Sequence, residues 1–211
     1  MTKTQQTFIQ QIANLVNMHR KKYFISVASP IIAQAILESN WGKSKLSAKY
    51  FNFFGLKCGS HWKGKSVNMS TKEEYSPGTL TSIKDNFRVF DSMEDGIIGY
   101  FEFINTTRYS NLKNVTDPYQ YLKNIKADGY ATSSKYVANL WNLIKTYNLT
   151  IYDDVVVSTD GSVETDLESV ARDVLRGKYG NGNTRRVNLQ NAGYDYAKVQ
   201  QLVNKIIKEG R

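Results

Sequence analysis

Residues 153–169 read DDVVVSTDGSVETDLES, a run with six acidic side chains and no basic one. Residues 1–152 carry 19 basic and 10 acidic side chains, net +9, and residues 170–211 carry nine and three, net +6. An acidic segment mixed with Ser, Thr and Gly has too little apolar surface to build a core, whereas the blocks on either side each have apolar periodicity. The pattern predicts two folded units, 1–152 and 165–211, joined by an acidic linker over 153–164. Thr165 followed by Glu168 has capping-box spacing, so helix is expected to resume there.

Composition narrows the function classes. Apolar residues at 41% and charged residues at 22% of 211 fit a soluble globular chain. No stretch approaches the roughly 18 unbroken apolar residues of a membrane span. MTKTQQTFIQQ is too polar to contain the apolar core of a signal peptide, so export by the general route is not expected. One cysteine, Cys58, excludes an internal disulfide and a cysteine-rich zinc site, and two histidines, His19 and His61, argue against a histidine-built metal centre. The net charge of +9 points to a polyanionic partner: nucleic acid, membrane or an anionic wall polymer.

The first block reads as mainly helical. Phe8, Ile12, Leu15 and Val16 share a helical face, and Ser29-Pro30 opens the apolar run IIAQAILESNW, which Gly42 ends. Residues 66–90 become rich in Thr, Val, Tyr and Ser. There the strands VNMSTKEEY and LTSIKDNFRVF flank Ser76-Pro77-Gly78. Ser92 with Asp95, Asp117-Pro118 and Ser133 or Ser134 mark three further helix starts, Gly129 closing the second of these helices. The expected fold class is α+β: a helical domain with an inserted β-hairpin lobe, followed by a small three-helix C-terminal module. In that module Asn183 and Asp195 are the expected caps of the second and third helices, and Gly193 ends the second.

Glu38 sits near the end of an otherwise apolar helix, close to Trp41. A carboxyl held against an indole is partly desolvated, which favours its protonated form and suits it to general acid work. A glycosidase usually needs a second carboxylate. Glu73 and Glu74 are available on the hairpin, and the two-residue period of a strand lets only one of them face a cleft. Trp62, between His61 and Lys63, is the aromatic best placed to serve as a sugar-stacking platform.

Three separated segments carry a family likeness: AQAILESNWGKSKLSAKYFNFFGLK, TKEEY with FRVFDS after it, and DGYATSSKYVANL. In order and spacing, over roughly residues 5–150, they resemble the glucosaminidase family numbered seventy-three among the glycoside hydrolases. The resemblance implies a lysozyme-like helical fold with a β-lobe. It also implies hydrolysis of peptidoglycan between N-acetylglucosamine and N-acetylmuramic acid, on the reducing side of the glucosamine. Matched residue by residue, Glu38 is the catalytic acid, and Glu74, directly before Tyr75, is the second carboxylate. The doubled Glu73-Glu74 leaves open which carboxylate acts. GYATSSKY makes Tyr130 and Tyr136 the candidates for an active-site tyrosine, with Tyr130 assigned to catalysis. Trp41, Trp62, Tyr75 and Tyr136 are assigned to substrate binding.

VARDVLRGKYGNGNTRRVNLQNAGYDYAKVQQLVNKII resembles the short cell-wall-binding repeat of certain phage lysins. That resemblance implies recognition of a muropeptide, with Tyr179 as a stacking face and Arg185 as a carboxylate-pairing fork. The combined expectation is a phage-type endolysin: a monomer with no catalytic metal or cofactor, no nucleic-acid partner and no membrane insertion. Its partners would be peptidoglycan and, by charge, anionic wall polymers. Its location would be the host cytoplasm until a holin-made lesion releases it to the cell wall. A related bacterial autolysin, a muramidase and a non-catalytic peptidoglycan-binding protein are the alternatives.

Overall fold

The computed structural model describes residues 1–76, 79–153, 167–192 and 194–209, without the side chains of residues 72–76 and 80. The described residues form nine α-helices and one antiparallel hairpin. The elements are α1 (Lys3–His19), α2 (Ser29–Ser39), α3 (Lys45–Tyr50), β1 (Ser66–Ser76), β2 (Thr79–Arg88), α4 (Met93–Ile104), α5 (Pro118–Ala127), α6 (Tyr136–Thr146), α7 (Leu167–Leu175), α8 (Gly182–Asn191) and α9 (Tyr196–Glu209). The strands pair in register from Ser66 with Arg88 to Glu74 with Leu80, with an irregularity between Glu74 and Ser76. Pro77-Gly78 of the expected turn, the linker from residue 154, the Thr165 capping box and Gly193 lie outside the described residues. Among the described residues no helix is long and apolar enough to cross a membrane.

α2 is the centre of the molecule. Its residues from Ser29 to Ile36 are all buried, because nothing on this helix is charged before Glu38. A helix apolar on every side must be surrounded, and α1, α5 and α6 pack around it. α1 contributes Phe8, Ile9, Ile12, Ala13 and Val16 to the same core, with Leu15 at its edge.

The entry to α2 differs from the expected serine cap. Ala28 occupies the N-cap, Ser29 is the first helical residue, and the capping oxygens come from Asp153. Its Oδ1 accepts from the amides of Ala28 and Ser29, each at 2.7 Å, and its Oδ2 accepts from the Ser29 hydroxyl at 2.9 Å. A carboxylate at a helix N-terminus also meets the positive end of the helix dipole. Burial pushes the Asp153 carboxyl up, while the Ser29 and Ala28 hydrogen bonds and the nearby Arg20 charge pull it back down.

Arg20 closes this junction from beneath. Its Nε donates to Asn17 Oδ1 at 2.6 Å and its Nη2 to the Asp153 carbonyl at 2.5 Å, while Nη1 reaches the carbonyls of Ile25 and Ser26. Asn17 in turn donates to the Tyr152 carbonyl at 3.1 Å. Arg20 is 4% exposed, so its guanidinium relies on these protein acceptors rather than on water.

Among the other expected helix starts, α6 begins at Tyr136 with Lys135 at its N-cap and no side-chain cap, not at Ser133 or Ser134, while three are found where serine or aspartate accepts from the first turn. Ser92 accepts from the Asp95 amide at 3.0 Å and Asp117 from the Tyr119 amide at 2.9 Å. Asp195 accepts from the Ala197 amide at 2.8 Å. Asn181, not Asn183, is the N-cap position of α8. The last three helices have a core of Val170, Ala171, Val174, Leu189, Val199 and Val203. They meet the earlier elements where the Tyr152 hydroxyl donates to the Asn191 carbonyl at 2.6 Å and Gln6 bonds the Asn191 side chain.

Replacing Arg20 with Met strips a buried junction of a cationic donor and leaves several carbonyls unmatched. We expect a loss of about 3–5 kcal/mol of stability in urea unfolding followed by circular dichroism. A loss below about 1 kcal/mol would show that the junction does not hold α2.

Candidate active site

Glu38 lies in the last turn of α2, which ends at Ser39. Asn40, Trp41 and Gly42 then take successive left-handed conformations, with φ of 48°, 62° and 73°. Glycine is required at the third, because a Cβ there would stand 2.8 Å from the Phe8 ring. The Ser39 hydroxyl holds the bend by donating to the Ala35 carbonyl at 2.5 Å and accepting from the Gly42 amide at 2.7 Å. This exit leaves the Glu38 carboxyl half-buried in the wall of a cleft of about 710 Å³.

The floor beside the carboxyl is the segment FNFFGLK. Buried Asn52 fixes it: its Oδ1 accepts from the Leu56 amide, and its Nδ2 donates to the carbonyls of Leu56 and Arg88, all at 2.9 Å. That clamp ties the segment to the end of β2. It also sets the bare backbone of Gly55 against Glu38, so that a Cβ at Gly55 would lie 3.7 Å from Glu38 Oε2. Met69 and Thr71 of β1 and Phe87 of β2 line the hairpin side.

Across the cleft stands an aromatic wall. The Tyr130 ring lies 5.9 Å from Phe103 and 6.2 Å from Tyr136, centre to centre. The two candidate tyrosines differ in what their hydroxyls do. Tyr130 donates to the Phe54 carbonyl at 2.9 Å, whereas the Tyr136 hydroxyl accepts from Gln34 Nε2 at 3.1 Å and lies close enough to Glu38 for the carboxylate charge to act on it. Burial pushes both phenols well above their ordinary value, and the charge of Glu38 adds to the effect. Both therefore remain neutral donors throughout the range in which a carboxyl titrates. Lys45, Lys57 and Arg108 line the same cleft, giving it a positive rim around one half-buried carboxyl.

This arrangement of a carboxyl, a phenol donor and an aromatic wall coincides with a match to known proteins. Residues 13–149 match the glucosaminidase family, described as mannosyl-glycoprotein endo-β-N-acetylglucosaminidase. The chain belongs to the glucosaminidase family. Residues 168–207 match a second family, the CW_7 repeat. The glucosaminidase region is similar to the exo-glucosaminidase LytG of Bacillus subtilis, at 32% identity over 157 residues, covering 72% of this chain and 54% of that protein. It is 37% identical over 139 residues to a probable N-acetylmuramidase of Lactococcus lactis, covering 59% of this chain and 30% of that one. The chain thus spans about half or less of the length of these curated relatives. Among solved structures, a peptidoglycan hydrolase mutant from Sphingomonas sp. A1 is similar at 30% identity and a TM-score of 0.62, over 70% of this chain and 97% of that one. The lysozyme-like α+β architecture is the one these relatives share.

Within the glucosaminidase domain the structure brings Glu38, Tyr130 and Tyr136 into one cleft and leaves the two expected tryptophans outside it. Trp41 packs edge-on against Phe8 at 6.3 Å and Tyr147 at 5.0 Å, and it lines a separate apolar groove. The left-handed turn after Asn40 swings the indole off the face that carries Glu38, so proximity in sequence does not become contact. Trp62 is not the exposed platform expected of it. Its ring meets Phe90 at 5.8 Å and the Arg88 guanidinium at 4.7 Å, and its Nε1 donates to the Lys65 carbonyl. Glu74 and Tyr75 are placed on β1, but their side chains lie outside the described residues. Gln34, Phe103, Tyr109 and Arg108 are the site neighbours that sequence reasoning missed. For Gln34 a signal existed: it is the lone amide in an apolar helix, one turn before Glu38.

In the C-terminal helices, Tyr179 is fully buried and offers no stacking face. It meets Tyr194 edge-on at 6.0 Å, inside the helical core rather than on its surface. Arg185 is likewise turned inward: Nε donates to the Gly180 carbonyl, Nη1 to Gln200 and Nη2 to Asn181, each at 3.2 Å. Its half-buried fork closes the GKYGNG turn onto α9. Burial pushes the Tyr194 phenol up to about 12. The hydroxyls of Tyr179 and Tyr194 have no hydrogen-bond partner among the described residues.

An unpartnered buried hydroxyl costs about 1–3 kcal/mol, so Tyr179→Phe should leave stability unchanged or raise it by about 1 kcal/mol. Tyr179→Ala should lower it by about 3–5 kcal/mol. Thermal unfolding of both variants checks the core assignment. Sedimentation with purified wall should show Tyr179→Phe binding as well as the parent protein.

Proposed function

We propose that the chain is a peptidoglycan hydrolase that cleaves the glycan strand between N-acetylglucosamine and N-acetylmuramic acid. The observation that carries the reading is the Glu38 carboxyl, half-buried in an open cleft that it shares with Tyr136, a phenol that burial holds well above its ordinary value. In this reading Glu38 protonates the glycosidic oxygen as the bond breaks, a contribution on the order of 10²–10⁴ in rate. The developing positive charge on the sugar is met either by a hairpin carboxylate, Glu74 in the family pattern, or by the 2-acetamido group of the substrate itself. The aromatic wall of Phe103 and Tyr130 offers apolar faces to sugar rings. Positioned carboxyls suffice for this chemistry, and no cofactor enters it.

Residues 165–211 serve in this proposal as a wall-binding module, joined through the acidic segment to the catalytic head, to which Asp153 belongs as the cap of α2. The match to the CW_7 repeat supports that role. The positive charge would hold the protein near anionic wall polymers, an effect that weakens with salt. A wall-tethered module raises the local concentration of the head at an immobile substrate. Phage-type lysis, with release from the host cytoplasm through a holin lesion, is part of this proposal because the C-terminal unit resembles the wall-binding repeat of certain phage lysins.

The bond itself is the point on which a second reading competes, since one relative is named a glucosaminidase and another a muramidase. Mass spectrometry of released, reduced muropeptides separates them: reducing-end glucosamine supports the proposal, and reducing-end muramic acid makes the protein a muramidase. Glu38→Gln should fold normally and clear wall suspensions at least about a thousandfold more slowly. A loss below tenfold would remove Glu38 from the acid role, and no clearing by the parent protein would favour a purely binding function. Glu74→Gln should impair turnover strongly and Glu73→Gln should not; the reverse result would move the second carboxylate by one residue.

A further inference from the structure

Behind the cleft, three polar side chains are buried with no exposure: Gln34 of α2, Tyr100 of α4 and Tyr121 of α5. None of them lines the cleft, yet they lead to it in a single file. Tyr121 and Tyr100 meet hydroxyl to hydroxyl at 3.0 Å, Tyr100 donates to Gln34 Oε1 at 2.7 Å, and Gln34 Nε2 donates to the Tyr136 hydroxyl at 3.1 Å. Tyr136 brings the file to the cleft, whose wall it shares with Glu38, and the carboxylate charge acts on its phenol.

We propose that Gln34, Tyr100 and Tyr121 are positioning residues that commit the single proton of Tyr136 to Glu38. The inference rests on Glu38 being the acid. The argument is one of donor and acceptor counts. A tyrosine hydroxyl has one proton to donate, and an amide has one accepting end and one donating end. Tyr100 spends its proton on the Gln34 oxygen, so Tyr121 must donate to Tyr100. With its oxygen so occupied, Gln34 turns its NH₂ to Tyr136, whose oxygen accepts and whose proton is left for Glu38. The opposite amide orientation would draw the Tyr136 proton to Gln34 and leave Glu38 without this donor. Tyr121 and Tyr100 therefore set the sense of a hydrogen bond on the far side of α2.

Packing alone does not call for these groups. Buried polar atoms cost free energy unless paired, and Phe, Phe and Met of similar shape would fill the same space without that demand. Donation from Tyr136 stabilises the carboxylate of Glu38 and fixes which oxygen is left to carry the transferable proton. The other titratable groups facing the carboxyl come from different elements: Lys45 of α3, Lys57 before β1, Arg108 and Tyr109 after α4, and Tyr130 after α5. None of these belongs to the hydrogen-bonded file, although the Tyr100 ring also meets Phe54 at 4.2 Å and Tyr130 at 6.3 Å.

The test compares the full chain with Tyr121→Phe, Tyr100→Phe and Gln34→Met, using soluble glycan fragments to measure kcat, KM and the pH profile, with Glu38→Gln as reference. A general acid must be protonated, so activity falls as pH rises through its pKa. Weakening the Tyr136 donation raises that pKa, so the alkaline limb should move to higher pH by roughly half a unit. kcat should drop by roughly tenfold at unchanged KM, a part of what acid catalysis contributes. If Glu38→Gln is inactive while Tyr121→Phe and Tyr100→Phe keep both kcat and the alkaline limb of the parent, the file is only structural and the proposal is overturned. A fall in thermal stability with no change in the pH profile has the same meaning. If Gln34→Met does not fold, the two phenylalanine variants decide the matter. Full activity of Glu38→Gln would instead overturn the acid assignment, and the positioning role with it.

Discussion

The junction of Arg20 with the Asp153 backbone and side chain carries the architecture of the catalytic head. α2 is mainly apolar along its buried length and carries no charge before Glu38. Its N-terminus must be anchored by something outside it. Asp153 supplies the capping oxygens from the far end of the domain, and Arg20 holds Asp153 by its carbonyl while binding the turn after α1. Three distant segments are thus pinned at one point, and the helix that carries Glu38 is fixed in both rotation and depth. A charge buried at such a point is costly on its own and becomes tolerable only because each donor finds an acceptor.

From that anchor the site follows mechanically. A buried helix must end in a sharp exit for its last carboxyl to meet solvent, and the three left-handed residues from Asn40 to Gly42 make that exit. The Asn52 clamp then brings glycine backbone rather than a side chain beside the carboxyl, leaving room for a polymer to pass. Tyr136 is delivered by α6, which packs directly on α2, so the donor and the carboxyl are set by the same helix-on-helix contact. The chemistry of the cleft is in this sense a by-product of how one apolar helix is surrounded.

The C-terminal helices follow a different economy. Some 45 residues barely suffice for a core without disulfide or metal, and large side chains must be drawn inward to reach the needed burial. Tyr179 and Tyr194 are taken into that core at the expense of their hydroxyls, and Arg185 is used to tie a glycine-rich turn to α9. Residues that look like ligand contacts in the sequence are consumed in holding so small a unit together.

Much was legible before any coordinates. The apolar run with a lone glutamate, the alternation of residues 66–90 and the caps at Ser92, Asp117 and Asp195 depend on neighbours a few residues apart, and such local patterns survive folding. The ordered motifs placed Glu38 and the GYATSSKY tyrosines in one site because that pattern belongs to a whole fold. Tertiary structure alone decided the rest. Trp41 leaves the site because two backbone angles turn it away, Trp62 because Arg88 and Phe90 cover it, and Tyr179 because a small core needs its ring. The cap on α2 comes from Asp153, and Tyr136 rather than Tyr130 bonds Gln34 of that helix, through contacts between segments that no local period connects. Local sequence determines which elements form and how they end; which side chains meet across them is settled only when the buried helix chooses its neighbours.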